Sequence, residues 1–70
     1  MDIIYSEHAR KRMIERGIKE EDIKETIEFP DYTITRGKEI EAYKKLNDKM
    51  LKVVYIEMGK FINVITIYFI

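Results

Sequence analysis

The sequence has no cysteine, a single proline and three glycines in 70 residues. Without cysteine, disulfides cannot staple the fold, and the Cys/His ligand set of a structural zinc site is missing. That absence fits a reducing compartment, and the expected location is the cytoplasm. No apolar run approaches the ~20 residues of a membrane span, and the N-terminus lacks the basic start and apolar middle of a secretory signal. No D-x-D-x-D-G loop is present for calcium, so neither a metal nor another cofactor is expected. Net charge is also absent, because 13 Lys/Arg balance 13 Asp/Glu. The global basic excess usual in nucleic-acid binders is therefore missing. No repeat, linker or low-complexity segment divides the chain. It reads as a single domain over residues 1–70, near the lower size at which a hydrophobic core suffices alone.

What the chain does have is charge and strand-forming residues. Charged side chains make up 37%, against ~25% in an average domain, and isoleucine and tyrosine are plentiful. Together these point to a thermophilic source. The charge is unevenly placed. Residues 1–19 carry five Lys/Arg against three acids, residues 20–31 carry six acids against Lys24 alone, and residues 32–70 carry seven Lys/Arg against four acids. A local basic surface opposite an acidic helix is compatible with zero net charge.

Ser6 to Gly17, SEHARKRMIERG, reads as a first helix. Ser6 is a natural N-cap, Glu7 and Arg16 complement the helix dipole, and Gly17 supplies the left-handed end. A period of 3.6 puts Ala9, Met13 and Gly17 on one stripe with Ile14 beside it, and His8, Arg12 and Arg16 on a bordering cationic stripe. A second helix runs to about Glu28 with Lys19 at its N-cap. Ile18 and Ile23 are placed as a hydrophobic staple, and Asp22 stands where a capping-box acid belongs. Pro30 stops this helix, with Ile23 and Ile27 buried and Phe29 closing its end.

From Asp31 the period changes to two. Tyr32–Arg36, Glu39–Leu46, Met50–Glu57 and Phe61–Ile70 read as strands, joined by turns at Gly37-Lys38, Asn47-Asp48 and Met58-Gly59-Lys60. In the second of these strands Ile40 and Ala42 alternate with Glu41, Tyr43 and Lys45. In the third, Leu51, Val53 and Tyr55 oppose Lys52, Val54 and Ile56. The last strand carries no charge, so it belongs inside the sheet or at a protein interface. The expected fold is α+β, with two N-terminal helices on one face of an antiparallel sheet of four to five strands. The N-terminal segment should pair with the last strand.

His8-Ala9, Arg12-Met13, Arg16-Gly17-Ile18, the acidic helix, Pro30-Asp31 and the closing Val64-Ile65-Thr66-Ile67-Tyr68 together resemble the prokaryotic family called domain of unknown function 4258. The resemblance covers essentially the whole chain. More distantly, two helices before an antiparallel sheet resemble the RelE/ParE-type toxins of toxin–antitoxin systems. That likeness implies RNA as a ligand, ribosome-dependent mRNA cleavage as an activity, and an antitoxin as partner. The chain departs from the toxin pattern at its C-terminus, which has no Lys/Arg after Lys60.

On this reading His8 is the candidate acid/base, while Arg12 and Arg16 hold phosphate oxygens. Tyr43, Lys44, Lys45, Lys52 or Tyr55 would contribute nucleic-acid contacts from the sheet. The competing reading makes His8 a packing residue and pairs the arginines with Glu7, Glu15 or the acidic second helix. The chain is then a non-catalytic interaction module or a homodimer.

Overall fold

The computed structural model describes residues 2–70. Its first element, β1 (Asp2–Tyr5), runs directly into α1 (Glu7–Arg16). Ser6 caps this helix as its chemistry requires, its Oγ accepting from the Ala9 N–H at 3.0 Å. The same hydroxyl donates to the Ile65 carbonyl at 2.6 Å, which pins the helix start to the last strand. Gly17 ends α1 with φ +64°, and its N–H returns to the Met13 carbonyl. A side chain at that φ would be strained. α2 (Glu20–Glu28) follows, and the Lys19 N–H donates to Asp22 Oδ2 at 3.3 Å. Ile18 and Ile23 of the staple are both buried in the core.

β2 (Tyr32–Arg36), β3 (Glu39–Leu46), β4 (Lys49–Met58) and β5 (Phe61–Phe69) complete the chain. The five strands form one sheet in the order β1-β5-β4-β3-β2. Turns of two residues join β2 to β3, β3 to β4 and β4 to β5, so these pairs are antiparallel. β1 pairs with β5 in parallel, from Asp2↔Phe61 to Tyr5↔Val64. The sheet is therefore mixed and not antiparallel throughout. The cause is connectivity, because β1 is separated from its neighbour by both helices and three strands and is free to take either direction. β5 lies inside the sheet, as its lack of charge requires.

Both helices cover one face. Ala9, Ile18, Ile23 and Ile27 meet Ala42, Leu51, Val53, Tyr55, Ile62, Val64 and Ile67 there. Two apolar residues expected to pack on this core do not. Ile14 is 84% exposed and Phe29 is 69% exposed. Ile14 follows Met13 by 100° around the helix, and α1 is buried only along a narrow line through Ala9. Phe29 is the C-cap of α2, with φ −132° and ψ 59°, so the chain has already turned away from the sheet.

Candidate nucleic-acid interface

The second face of the sheet has no helix over it. Strand registers place one residue from each of four strands in a line across it: Tyr32 beside Tyr43, Tyr43 beside Lys52, and Lys52 beside Tyr68. The Tyr32 and Tyr43 rings stack at 4.6 Å with an 11° tilt. Lys52 Nζ stands 5.5 Å from the Tyr43 ring centre and 5.1 Å from that of Tyr68. Arg12 of α1 then closes the line, its guanidinium carbon 6.0 Å over the Tyr68 ring. The result is a row of three rings and two cations from the β2 edge to α1, with Lys52 between Tyr43 and Tyr68. Cation–π contacts of this kind are worth ~0.5–2 kcal/mol each, more when desolvated.

A bulge makes this row. The turn at Gly59-Lys60 sets Met58↔Phe61, and strict continuation would bring Ile67 opposite Lys52. Between Val54 and Tyr55 the register slips by one, with Tyr55↔Val64 but Val54↔Thr66. Ile65 is the extra residue. Its insertion sends Ile67 into the core and turns Tyr68 to the open face. The Ile65 carbonyl is also the group that Ser6 holds, so the bulge and the start of α1 are tied at one point. Arg12 reaches Tyr68 from there.

One turn of pleat away from the row, Glu41 is nearly buried and fully engaged. Tyr43 Oη donates to Glu41 Oε1 at 3.0 Å, and Arg36 Nε donates to Oε2 at 3.2 Å. Lys52 Nζ lies 3.7 Å from the same oxygen. Burial alone would raise the Glu41 carboxyl pKa, but the Tyr43 hydrogen bond and the Lys52 and Arg36 charges bring it below its ordinary value. For Lys52, hydrogen bonding to Tyr68 raises the pKa against the opposing cost of burial, and Tyr43 adds to the rise. Glu41 is therefore anionic and Lys52 cationic through the neutral range.

This linkage has a sign. The depressed Glu41 pKa contributes stability at pH values above the unfolded carboxyl pKa, and that stability is lost as pH falls through the folded value. The gap in melting temperature between wild type and Glu41→Gln should therefore be widest near neutrality and close as the solution is acidified. A gap that stays constant with pH would show that the charge of Glu41 contributes nothing.

Of the residues expected from sequence to act on RNA, the structure unites Arg12, Tyr43 and Lys52. His8 sits one turn before Arg12 on an exposed part of α1, and Arg16 is exposed in its last turn. Among the described residues neither makes a side-chain hydrogen bond or ion pair. The arginines of α1 do not pair with Glu7, Glu15 or α2, since both ion pairs found among the described residues converge on Glu41. Lys44 points to the helix side, where its Nζ donates to the Phe29 carbonyl at 2.9 Å. Lys45 is exposed and shares the open face, opposite Met50. Tyr55 is buried in the core on the other face. Tyr32, Tyr68, Arg36 and Glu41 complete the constellation without having been singled out. Tyr32 was legible, because a two-residue turn at Gly37-Lys38 fixes it opposite Tyr43.

The open face carries Arg12, Arg36, Lys45 and Lys52 against Glu39 and Glu41. Five of the acids lie on α2, on the opposite side of the sheet. The open face thus carries a modest cationic excess within a neutral chain, while acids and bases nearly balance on the helix side. Two shallow clefts elsewhere, at Gly17–Asp22–Asp48 and at Asp2–Arg10–Lys24, share no residue with the row. No cluster of three or more potential metal ligands is found among the described residues, and no helix among them is long and apolar enough to cross a membrane.

Two helices on one face of a five-stranded sheet, with the other face open, define a small α+β domain. The model of the domain of unknown function family DUF4258 matches residues 5–69, and the chain belongs to that family. No curated protein and no solved structure matches it.

Proposed function

We propose that the open sheet face binds single-stranded RNA. The observation that carries this reading is the Tyr32–Tyr43–Lys52–Tyr68–Arg12 row, which sets rings and cations side by side across four of the five strands. Stacking a base on an aromatic side chain is worth roughly 1–3 kcal/mol and tolerates any base. Tyr32 offers the most exposed ring and Tyr68 a half-buried one, while Tyr43 is buried and stacks on one face of Tyr32. Arg12, Arg36 and Lys45 stand at the margins, where they would meet phosphates. Lys52 is largely covered by the two phenols and neutralises Glu41. A flat face of rings suits unpaired bases, which alone can be splayed onto it. RNA in preference to DNA, and a cytoplasmic setting, are what the resemblance of the sequence to RelE/ParE-type toxins would imply.

Binding is better supported than cleavage. Glu41 and Lys52 keep their charges through the neutral range and exchange no proton there. A cleavage step would fall to His8, whose side chain lies outside the row.

Three marginal cations, at about −0.7 per neutralised phosphate on a single strand, predict a log–log salt slope near −2. Affinity for a labelled oligouridine should fall roughly twentyfold between about 50 and 200 mM salt. Anisotropy titrations at the two concentrations measure this. Absence of binding at the lower salt would sink the RNA reading.

A further inference from the structure

The edge of the sheet at β2 carries a second message, independent of any nucleic acid. All five residues of this strand are exposed, and Phe29, Tyr32 and Ile34 are exposed apolar side chains at or beside it. Edge strands are normally blunted by proline, by lysine, by a central bulge or by a covering helix. Tyr32–Arg36 has no proline, lysine or bulge, its one charge, Arg36, stands at the strand end and is paired with Glu41, and its pairing with β3 is regular over all five residues. The opposite edge is treated differently. β1 has only four residues, and α1 packs beside β5 where β1 ends.

We infer that β2 pairs with β2 of a second copy of this chain, antiparallel about a two-fold axis at Ile34, to make one continuous ten-stranded sheet. The strand is self-complementary about that point. Thr33 would face Thr35 of the second copy, Ile34 would face its own counterpart, and Tyr32 would face Arg36, a ring opposite a guanidinium. The hydrogen-bond phase agrees. A two-residue turn makes Arg36 and Glu39 a bonded pair, and alternation then gives Ile34 and Tyr32 to β3. The N–H and C=O groups of Thr33 and Thr35 are left pointing outward, and these two positions are the ones that the two-fold brings together. Charge also agrees. The Gly37-Lys38 turn of one copy would lie beside Pro30-Asp31 of the other, with Lys38 next to Asp31.

The pairing puts Ile34 opposite Ile34 at a non-bonded position, where antiparallel Cα atoms approach to about 4.5 Å. That spacing admits a disulfide, and the chain has no cysteine of its own to compete. Ile34→Cys should therefore oxidise to a covalent dimer, whereas Lys60→Cys, at the far turn, should not. Wild-type protein should sediment at twice the 8.5 kDa chain mass. Ile34→Lys should sediment as a monomer with unchanged far-UV circular dichroism and melting at equal monomer occupancy. Thr33→Pro, which removes an outward N–H and spares the β3 ladder, should do the same. A wild-type monomer at all attainable concentrations overturns the pairing. So does a dimer that survives Ile34→Lys and Thr33→Pro with no Ile34→Cys cross-link, since another surface then holds it. Neither result bears on whether the open face binds RNA.

Discussion

Ile23→Asp will unfold the domain at 25 °C. Ile23 is fully buried on α2, against strands β3 and β4. The substitution forfeits about 1.5–3 kcal/mol of side-chain transfer and adds the cost of an unpaired carboxylate in an apolar contact. Several further kcal/mol follow from that charge even if it is relieved by protonation. A chain of 70 residues has in total roughly 4–10 kcal/mol of stability, so the sum is comparable to what holds it together. Ile14→Gln is the matched control. Both isoleucines are helical and both look apolar-faced by spacing, but Ile14 is exposed, and its replacement should shift stability by less than about 0.5 kcal/mol. Urea unfolding of the two variants decides it. Equal effects would mean that the helix faces are wrongly assigned.

The largest functional effect should come from removing both marginal guanidinium groups. Arg12 closes one end of the row against Tyr68, and Arg36 stands at the β2 end with its side chain 68% exposed. The double variant Arg12→Ala, Arg36→Ala leaves Lys45 as the remaining exposed cation of this face, because the Lys52 side chain is only 16% exposed. The salt slope for oligouridine should fall from about −2 to about −0.7, and affinity at low salt by more than tenfold. Arg16→Ala is predicted to do little, since Arg16 lies in the last turn of α1 and is not part of the row. Were Arg16→Ala as damaging as the double variant, the phosphate path would run along α1 and not across the sheet.

Much of this arrangement could be read from residue order. Ser6 and Gly17 bracket α1 by their cap chemistry, and Pro30 ends α2. Two-residue turns at 37–38 and 47–48 set Tyr32↔Tyr43 and Tyr43↔Lys52 by counting outward. The uncharged β5 announces its interior place. What could not be read was the far half of the row. Asn63 to Ile70 has no polar alternation to mark a face, so the slip at Ile65 leaves no trace in the pattern, and Tyr68 is assigned to the wrong side by simple alternation. Arg12 was legible as a member of a cationic stripe, but periodicity gave it the same standing as His8 and Arg16. Only the anchoring of Ser6 on the Ile65 carbonyl separates them, and that bond spans 59 positions of sequence. Lys44 and Lys45 look equivalent as neighbours in a strand, yet the pleat sends them to opposite faces.

The central claim is that nucleic acid lies across the open sheet face. It is tested most directly by amide chemical-shift mapping of labelled protein titrated with oligouridine at low salt. Perturbations should centre on Tyr32, Tyr43, Lys52, Tyr68 and Arg12, and leave the α2 amides from Glu20 to Glu28 in place. Shifts concentrated on α2, or a spectrum unchanged at saturating oligonucleotide, would contradict it.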